Sequence, residues 1–185
     1  MRVVAGKARS LQLMTVPGME VRPTTDRIKE TLFNMISNEV PGSRFLDLFA
    51  GSGSIGIEAL SRGAEHAVFV DKNRAAIQCI RKNLDHVKMS ADASVLQMDV
   101  TAAIAQLEQK KEQFDVVFMD PPYDCLLEKD VLARLADSDL VSEDTLIIVE
   151  ASLTTEFDYL EQLGYYIRKD KVYKTNRHVF IQKKS

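Results

Sequence analysis

The sequence predicts an α/β fold built on a largely parallel sheet. Three observations carry that expectation. Short runs rich in β-branched and aromatic residues alternate with amphipathic stretches at helical spacing. No internal repeat and no Gly/Ser/Pro-rich linker breaks the alternation. The 185 residues are 45% apolar and 28% charged, enough for one globular domain with its own core. Strand–helix–strand units of this kind give parallel sheets whose ligands bind beyond the carboxyl ends of the strands.

The elements follow in order. Residues 2–5 and 11–16 read as a short β-pair, a small N-terminal β-hairpin. Pro23 and Thr24-Thr25-Asp26 start a helix, because their side-chain oxygens can accept from first-turn N–H groups that lack a partner. Ile28, Leu32, Met35 and Ile36 carry that helix to about Asn38, and Pro41-Gly42 closes the unit. Residues 1–40 therefore read as an extension of the same domain, and 41–185 as its main body. Arg44 to Leu48 is a buried-strand candidate, and Ile55 to Arg62 a helix closed by Gly63. Strands over Ala67–Val70, Ala93–Leu96, Phe114–Met119 and Thr145–Val149 alternate with helices over Arg74–Leu84, Thr101–Lys110, Leu126–Leu135 and 155–162. Tyr165–Lys171 and Arg177–Gln182 are two closing strands joined through Lys174-Thr175-Asn176.

Composition excludes several classes. A disordered chain, a collagen-like chain and a disulfide-dense mini-protein do not fit. No apolar run approaches the ~18 residues a membrane span needs, and MRVVAGKARS lacks the pattern of a signal peptide. Cys79 and Cys125 form no disulfide framework, so a reducing cytoplasm is expected. The net charge of -3 conceals a pattern. Residues 1–30 carry +3, residues 165–185 carry +6, and the middle carries -12. Two basic ends around an acidic centre point to a phosphate-bearing partner or to solvated tails.

Chemistry is expected just after each strand. Gly51, Gly53 and Gly56 satisfy GxGxxG where the first strand gives way to a helix, a turn that admits a nucleotide ligand. Asp47, four residues before Gly51, would repel a pyrophosphate and attract a cation such as S-adenosylmethionine. Asp71, ending the second strand, can accept from two ribose hydroxyls. Asp99, after the third, can accept from an adenine amine beside Met98 or Val100, or can cap the next helix. Asp120-Pro121-Pro122-Tyr123 follows the fourth strand and is the sharpest signal. Two prolines fix two φ angles and remove two donors, so the flanking Asp and Tyr are presented rigidly. A carboxylate or carbonyl there can accept from an exocyclic amine, and a Tyr ring can stack on a base. His66, His86 and His178 lack metal-ligand spacing, so no metal is assigned. Tyr165, Tyr166 and Tyr173 interleave with Arg168, Lys169, Lys171 and Lys174, as an RNA face or as a hairpin with one side buried.

LDLFAGSGSIGIEALSRGA (46–64), Asp71 and DPPY (120–123) resemble the class I S-adenosylmethionine-dependent methyltransferases that modify exocyclic amines. RPTTDRIKETLFN (22–34), with RVVAGKARSLQL (2–13), is similar to the bacterial RsmD family of small-subunit ribosomal RNA guanine-N2 methyltransferases. The likeness runs from Arg2 to the closing strands. It implies a Rossmann-like, seven-stranded, mostly parallel sheet with helices on both faces and the last strand inserted antiparallel. It implies Asp120, Pro121, Pro122 and Tyr123 as the catalytic motif. Asp47, Phe49, Ala50, Gly51, Gly53, Asp71 and Asp99 would hold S-adenosylmethionine. Arg2, Lys7, Arg9, Arg22 and Arg27 would meet RNA, although this chain has Arg9-Ser10-Leu11 where the family shows a more basic Arg-Gly-Arg stretch. The partner implied is 16S ribosomal RNA, within an assembled or assembling small subunit, met by a monomer. Rival readings are an adenine-N6 or cytosine-N4 DNA methyltransferase, a glutamine-N5 protein methyltransferase, an NAD oxidoreductase, which Asp47 disfavours, and a nucleoside-binding module without catalysis.

Overall fold

In the computed structural model, which describes residues 1–18, 25–123 and 125–185, the elements run α1 (Asp26–Met35), β1 (Arg44–Leu48), α2 (Ser54–Ser61), β2 (His66–Asp71) and α3 (Arg74–His86). They continue β3 (Ala93–Gln97), α4 (Val100–Gln109), β4 (Val116–Met119), α5 (Leu127–Ala136), β5 (Leu146–Ser152), β6 (Tyr165–Val172) and β7 (Asn176–Lys183). The strands form one seven-stranded sheet in the order β3-β2-β1-β4-β5-β7-β6. The first five strands pair in parallel. β7 enters antiparallel between β5 and β6, which itself pairs antiparallel with β7. The parallel topology with an inserted last strand is the one the family resemblance implies. No helix among the described residues is long and apolar enough to cross a membrane.

Strand alternation divides the core in two. Phe45, Phe69, Phe118, Ile148 and Phe180 pack on one face with Phe33, Ile57 and Ile80 of α1, α2 and α3. Leu46, Leu48, Val70, Val117, Met119, Val149 and Val179 pack on the other with Ile104 of α4 and Leu132 of α5. Successive side chains on a strand point to opposite faces. Asp47 therefore shares a face with Phe45, Glu150 with Ile148, and His178 with Phe180. Three polar side chains thus extend an otherwise apolar layer toward the carboxyl ends of the strands.

Two expected elements differ. The N-terminal hairpin is reduced to a single antiparallel bridge, Arg2 to Gln12. Its arms still exchange backbone hydrogen bonds, Val3 N–H to the Leu11 carbonyl (2.9 Å) and Leu13 N–H to the Met1 carbonyl (3.0 Å), and α2 adds to them: Glu58 accepts from Val4 N–H (2.8 Å) and Ala5 N–H (3.0 Å), and Ser61 Oγ donates to the Ala5 carbonyl (2.6 Å). Residues 155–157 are irregular and 158–164 are consecutive turns, so 155–162 is not a helix. Their N–H groups reach back mostly three residues, as Leu160 to Phe157 (3.0 Å) and Gly164 to Glu161 (3.1 Å). Phe157 and Leu160 still bury at intervals that mimic a helical face. α1 stops at Met35 rather than near Asn38, and Ile36 serves as its C-cap.

Candidate active site

The loop between β1 and α2 is built by two acids. Asp71 at the end of β2 accepts from Gly51 N–H through Oδ2 (2.9 Å) and from Asn73 N–H through Oδ1 (2.8 Å). Asp47 is buried and accepts from Gly56 N–H (2.9 Å) in the first turn of α2. Between them Phe49 and Gly53 take left-handed backbone, at φ 60° and 79°. Such a conformation costs a non-glycine residue about 1–3 kcal/mol and marks sites held by their surroundings. Gly56 is required by contact: a Cβ there would lie 2.3 Å from the Phe69 ring of β2. The third glycine of the motif thus seats the helix on the sheet, and Gly51, whose Cβ position meets nothing within 4 Å, leaves the loop open to a ligand.

Burial lifts the Asp47 carboxyl well above the usual carboxylate range; the Gly56 N–H opposes this and the neighbouring charge of Asp71 adds to it. Asp47 therefore acts at once as an internal cap for α2 and as a latent negative charge below the glycine loop. Asp99 is exposed, and its Oδ1 accepts from Thr101 N–H (2.9 Å), so the structure places it as the N-cap of α4. Phe49 and Ala50 are half-buried, and Ala50 N–H donates to the Val70 carbonyl (2.9 Å), tying the loop to β2.

Asp120-Pro121-Pro122-Tyr123 continues directly from β4. Pro121 is buried, Pro122 exposed, and Asp120 and Tyr123 are half-buried. Met119 pairs with Leu48 of β1 and with Val149 of β5, so Asp120 falls level with Phe49 and Glu150. Burial first, then Glu150, then Asp47, drive the Asp120 carboxyl well above its ordinary range. Three carboxyl groups thus gather at one end of the sheet. Such a cluster favours a cation or a hydrogen-bond donor over a phosphate.

Sequence reasoning overlooked the support for this cluster. Glu150 accepts from Asn176 Nδ2 (2.7 Å) and pairs with His178 Nε2 (3.1 Å), and all three residues are buried. His178 Nδ1 lies 3.2 Å from the Tyr173 hydroxyl, and its ring meets Phe118 edge-on at 6.0 Å. A usable signal existed: Glu150 closes the apolar run Leu146–Val149, as Asp120 closes Val116–Met119, and the same rule would have selected it.

Lys7, Arg9 and Arg27 are exposed. Arg2 pairs through Nε with Asp26 at 3.2 Å, which ties the N-terminal segment to the start of α1. Thr25 Oγ1 caps that helix by accepting from Ile28 N–H (3.3 Å). Arg22 lies outside the described residues.

With this geometry in view, three similarities are informative. The chain is 41% identical over 150 residues to YlbH of Bacillus subtilis, covering 81% of this chain and 82% of that one. It is 36% identical over 149 residues to the ribosomal RNA small subunit methyltransferase D of Haemophilus influenzae, covering 80% and 77%. The solved structure of YhhF from Escherichia coli superposes with a TM-score of 0.83 at 33% identity, covering 100% and 98%. The family described as conserved hypothetical protein 95 matches residues 1–182. The chain belongs to that family, the RsmD family whose motifs its sequence carries.

Proposed function

We propose that the protein transfers a methyl group from S-adenosylmethionine to the exocyclic N2 amine of a guanine in 16S ribosomal RNA. The observation that carries this reading is the rigid Asp120-to-Tyr123 turn, set level with Glu150 and beside the glycine loop. The names of the relatives support the substrate class. In this reading residues 1–40 extend a methyltransferase domain spanning 41–185.

The residues present fit the cofactor. A sulfonium and an ammonium suit the carboxyl group of Asp47, and the ribose suits Asp71, whose oxygens are already oriented by two backbone N–H groups. Phe49, Ala50, Gly51 and Gly53 form the adjoining cradle, and Asp99 borders it at the start of α4. When bound, the cofactor supplies a methyl group already activated by positive sulfur. The protein's part is to place the attacking nitrogen, which is proximity catalysis. The guanine amine is a weak nucleophile because its lone pair is delocalised into the ring. Asp120, or the Pro121 carbonyl, accepts a hydrogen bond from that amine and stabilises the positive charge that develops on nitrogen. Tyr123 stacks on the base, which must leave its helix to be reached.

Arg2, Lys7, Arg9, Arg22 and Arg27 meet phosphates. The target is recognised by its folded shape, in an assembled or assembling small subunit. The protein acts as a monomer in the cytoplasm. Labelled methyl donor offered with naked RNA, assembled small subunits, DNA and protein tests this. Label in small-subunit RNA is expected; label in DNA or protein alone overturns it.

A further inference from the structure

The buried Glu150–His178–Tyr173 chain has no part in the proposed function as stated so far, yet it abuts the catalytic turn. Resting on that proposed function, we propose that Glu150, oriented by His178 and Tyr173, is a positioning residue that makes the Asp120 carboxylate the proton acceptor for the target amine.

The direction of the chain follows from its partners. A Glu150 carboxylate can only accept, so His178 carries its proton on Nε2 and donates across 3.1 Å. In the neutral imidazole Nδ1 then has a lone pair, to which the Tyr173 hydroxyl can donate across 3.2 Å. Tyr173 keeps its proton, because burial, followed by the Glu150 charge, pushes its hydroxyl up to about 12. Asn176 Nδ2 supplies the second donor to Glu150 at 2.7 Å. Every link is fixed by the sheet: Glu150 pairs in register with His178, and Ser152 with Asn176, at the turn that joins β6 to β7. One strand over, Glu150 is level with Asp120.

The charged and titratable groups around this position come from each packed element. They are Asp47 from β1, Asp120 from β4, Glu150 from β5, His178 from β7, and Tyr173 with Lys171, whose Nζ lies 5.9 Å from the Tyr173 ring centre. Glu150 and Asp47 both raise the proton affinity of Asp120. The chain holds Glu150 in place rather than letting it turn to solvent.

The step balances simply. The amine lone pair forms the N–C bond as the S–C bond breaks, and that bond's electron pair returns to sulfur, leaving a neutral thioether. The nitrogen, now positive, gives its proton to an Asp120 oxygen, which later releases it to water. A fixed negative neighbour makes Asp120 a stronger acceptor for that proton.

Glu150→Gln tests the idea and can be accommodated. Asn176 Oδ1 is buried without a hydrogen-bond partner, so turning that amide over lets it accept from the new Gln amide. Methyl transfer to small subunits is measured between about pH 5.5 and 9. In Glu150→Gln the acidic limb of kcat moves to lower pH by about two to three pH units, the size expected for like charges on neighbouring strands at an effective dielectric near ~20. Its plateau falls by about tenfold or more, with cofactor affinity by calorimetry unchanged. Tyr173→Phe keeps the charge but loosens it, lowering kcat with KM unchanged. A Glu150→Gln profile that superimposes on the wild type, or a loss confined to KM, overturns the proposal while leaving the methyltransferase reading intact. Wild-type protein that methylates no RNA overturns both. Should Glu150→Gln fail to fold, Glu150→Asp decides: a lowered kcat with the acidic limb retained supports the role, and an unaltered kcat refutes it.

Discussion

Replacing Glu58 with alanine should be among the most damaging single changes outside the active site. Its side chain is fully buried in α2 and faces four donors: Val4 N–H at 2.8 Å, Ala5 N–H at 3.0 Å, Arg62 Nε at 2.9 Å and Lys29 Nζ at 3.4 Å. The Lys29 side chain is equally buried, and its Nζ donates to the Arg2 carbonyl at 2.6 Å. Burial already pulls the Lys29 ammonium below its ordinary range, so Glu58 is what keeps the charge tolerable. Removing one partner of a buried pair costs about 3–5 kcal/mol. Each backbone N–H left buried and unpaired adds roughly 1–3 kcal/mol. These losses do not sum freely, because residues 1–8 can peel from α2 and let water in. A net cost of about 3–5 kcal/mol is expected, with Tm falling roughly 10 °C or more for a domain of this size. Lys29→Met is the contrast. It removes the buried ammonium, leaves Glu58 three donors with the Arg62 guanidinium among them, and costs the Arg2 carbonyl its donor, so a smaller loss of about 1–3 kcal/mol is expected. Urea and thermal unfolding of both variants provide the measurement. A Glu58→Ala protein within about 1 kcal/mol of wild type, or a Lys29→Met protein that is the worse of the two, would refute the reasoning.

Other outcomes follow from the same geometry. Gly56→Ala sets a methyl 2.3 Å from the Phe69 ring, so urea unfolding should show a loss of about 1–3 kcal/mol and calorimetry a weaker cofactor site. Asp47 has its folded carboxyl raised by burial, so it stabilises the fold below the unfolded carboxylate range and that contribution is lost as pH rises through its folded value. Asp47→Asn should therefore gain in relative Tm from about pH 4 upward; a difference that shrinks with rising pH contradicts this assignment. Asp71→Ala releases Gly51 and Asn73 N–H together, so S-adenosylmethionine affinity should fall by about tenfold or more, and unchanged affinity by calorimetry would remove Asp71 from the site.

Local pattern reported the sheet well because the central parallel strands β4 and β5 are buried on both faces and read as apolar runs. Val116–Met119 and Leu146–Val149 are such runs. The same rule failed at residues 155–162, where Phe157 and Leu160 bury from irregular chain and turns, and apolar spacing alone does not separate turns from a helix. The N-terminal pairing was legible but its extent was not. The two arms meet at Arg2 and Gln12, and the rest of their order comes from Glu58, Ser61 and Lys29, partners that no local window contains. In the site, the strand-end rule located Asp47, Asp71 and Asp120, because an acid closing an apolar strand needs a reason to be there. It gave no access to pairing across β5 and β7, so His178 read as an isolated histidine and Tyr173 as part of an RNA face or of a hairpin with one side buried. Asp99 illustrates the converse: its position after β3 suggested a ligand, and its closest structural task is to cap α4.

The central claim is that the turn at Asp120 directs methyl transfer to a guanine amine. The most direct measurement digests small-subunit RNA after reaction with labelled methyl donor and identifies the labelled nucleoside, for wild type and for Asp120→Asn. The account predicts N2-methylguanosine from 16S RNA with the wild type, and loss of label in Asp120→Asn by at least about a hundredfold with cofactor binding retained. Label on an adenine or on protein, or undiminished transfer by Asp120→Asn, would contradict it.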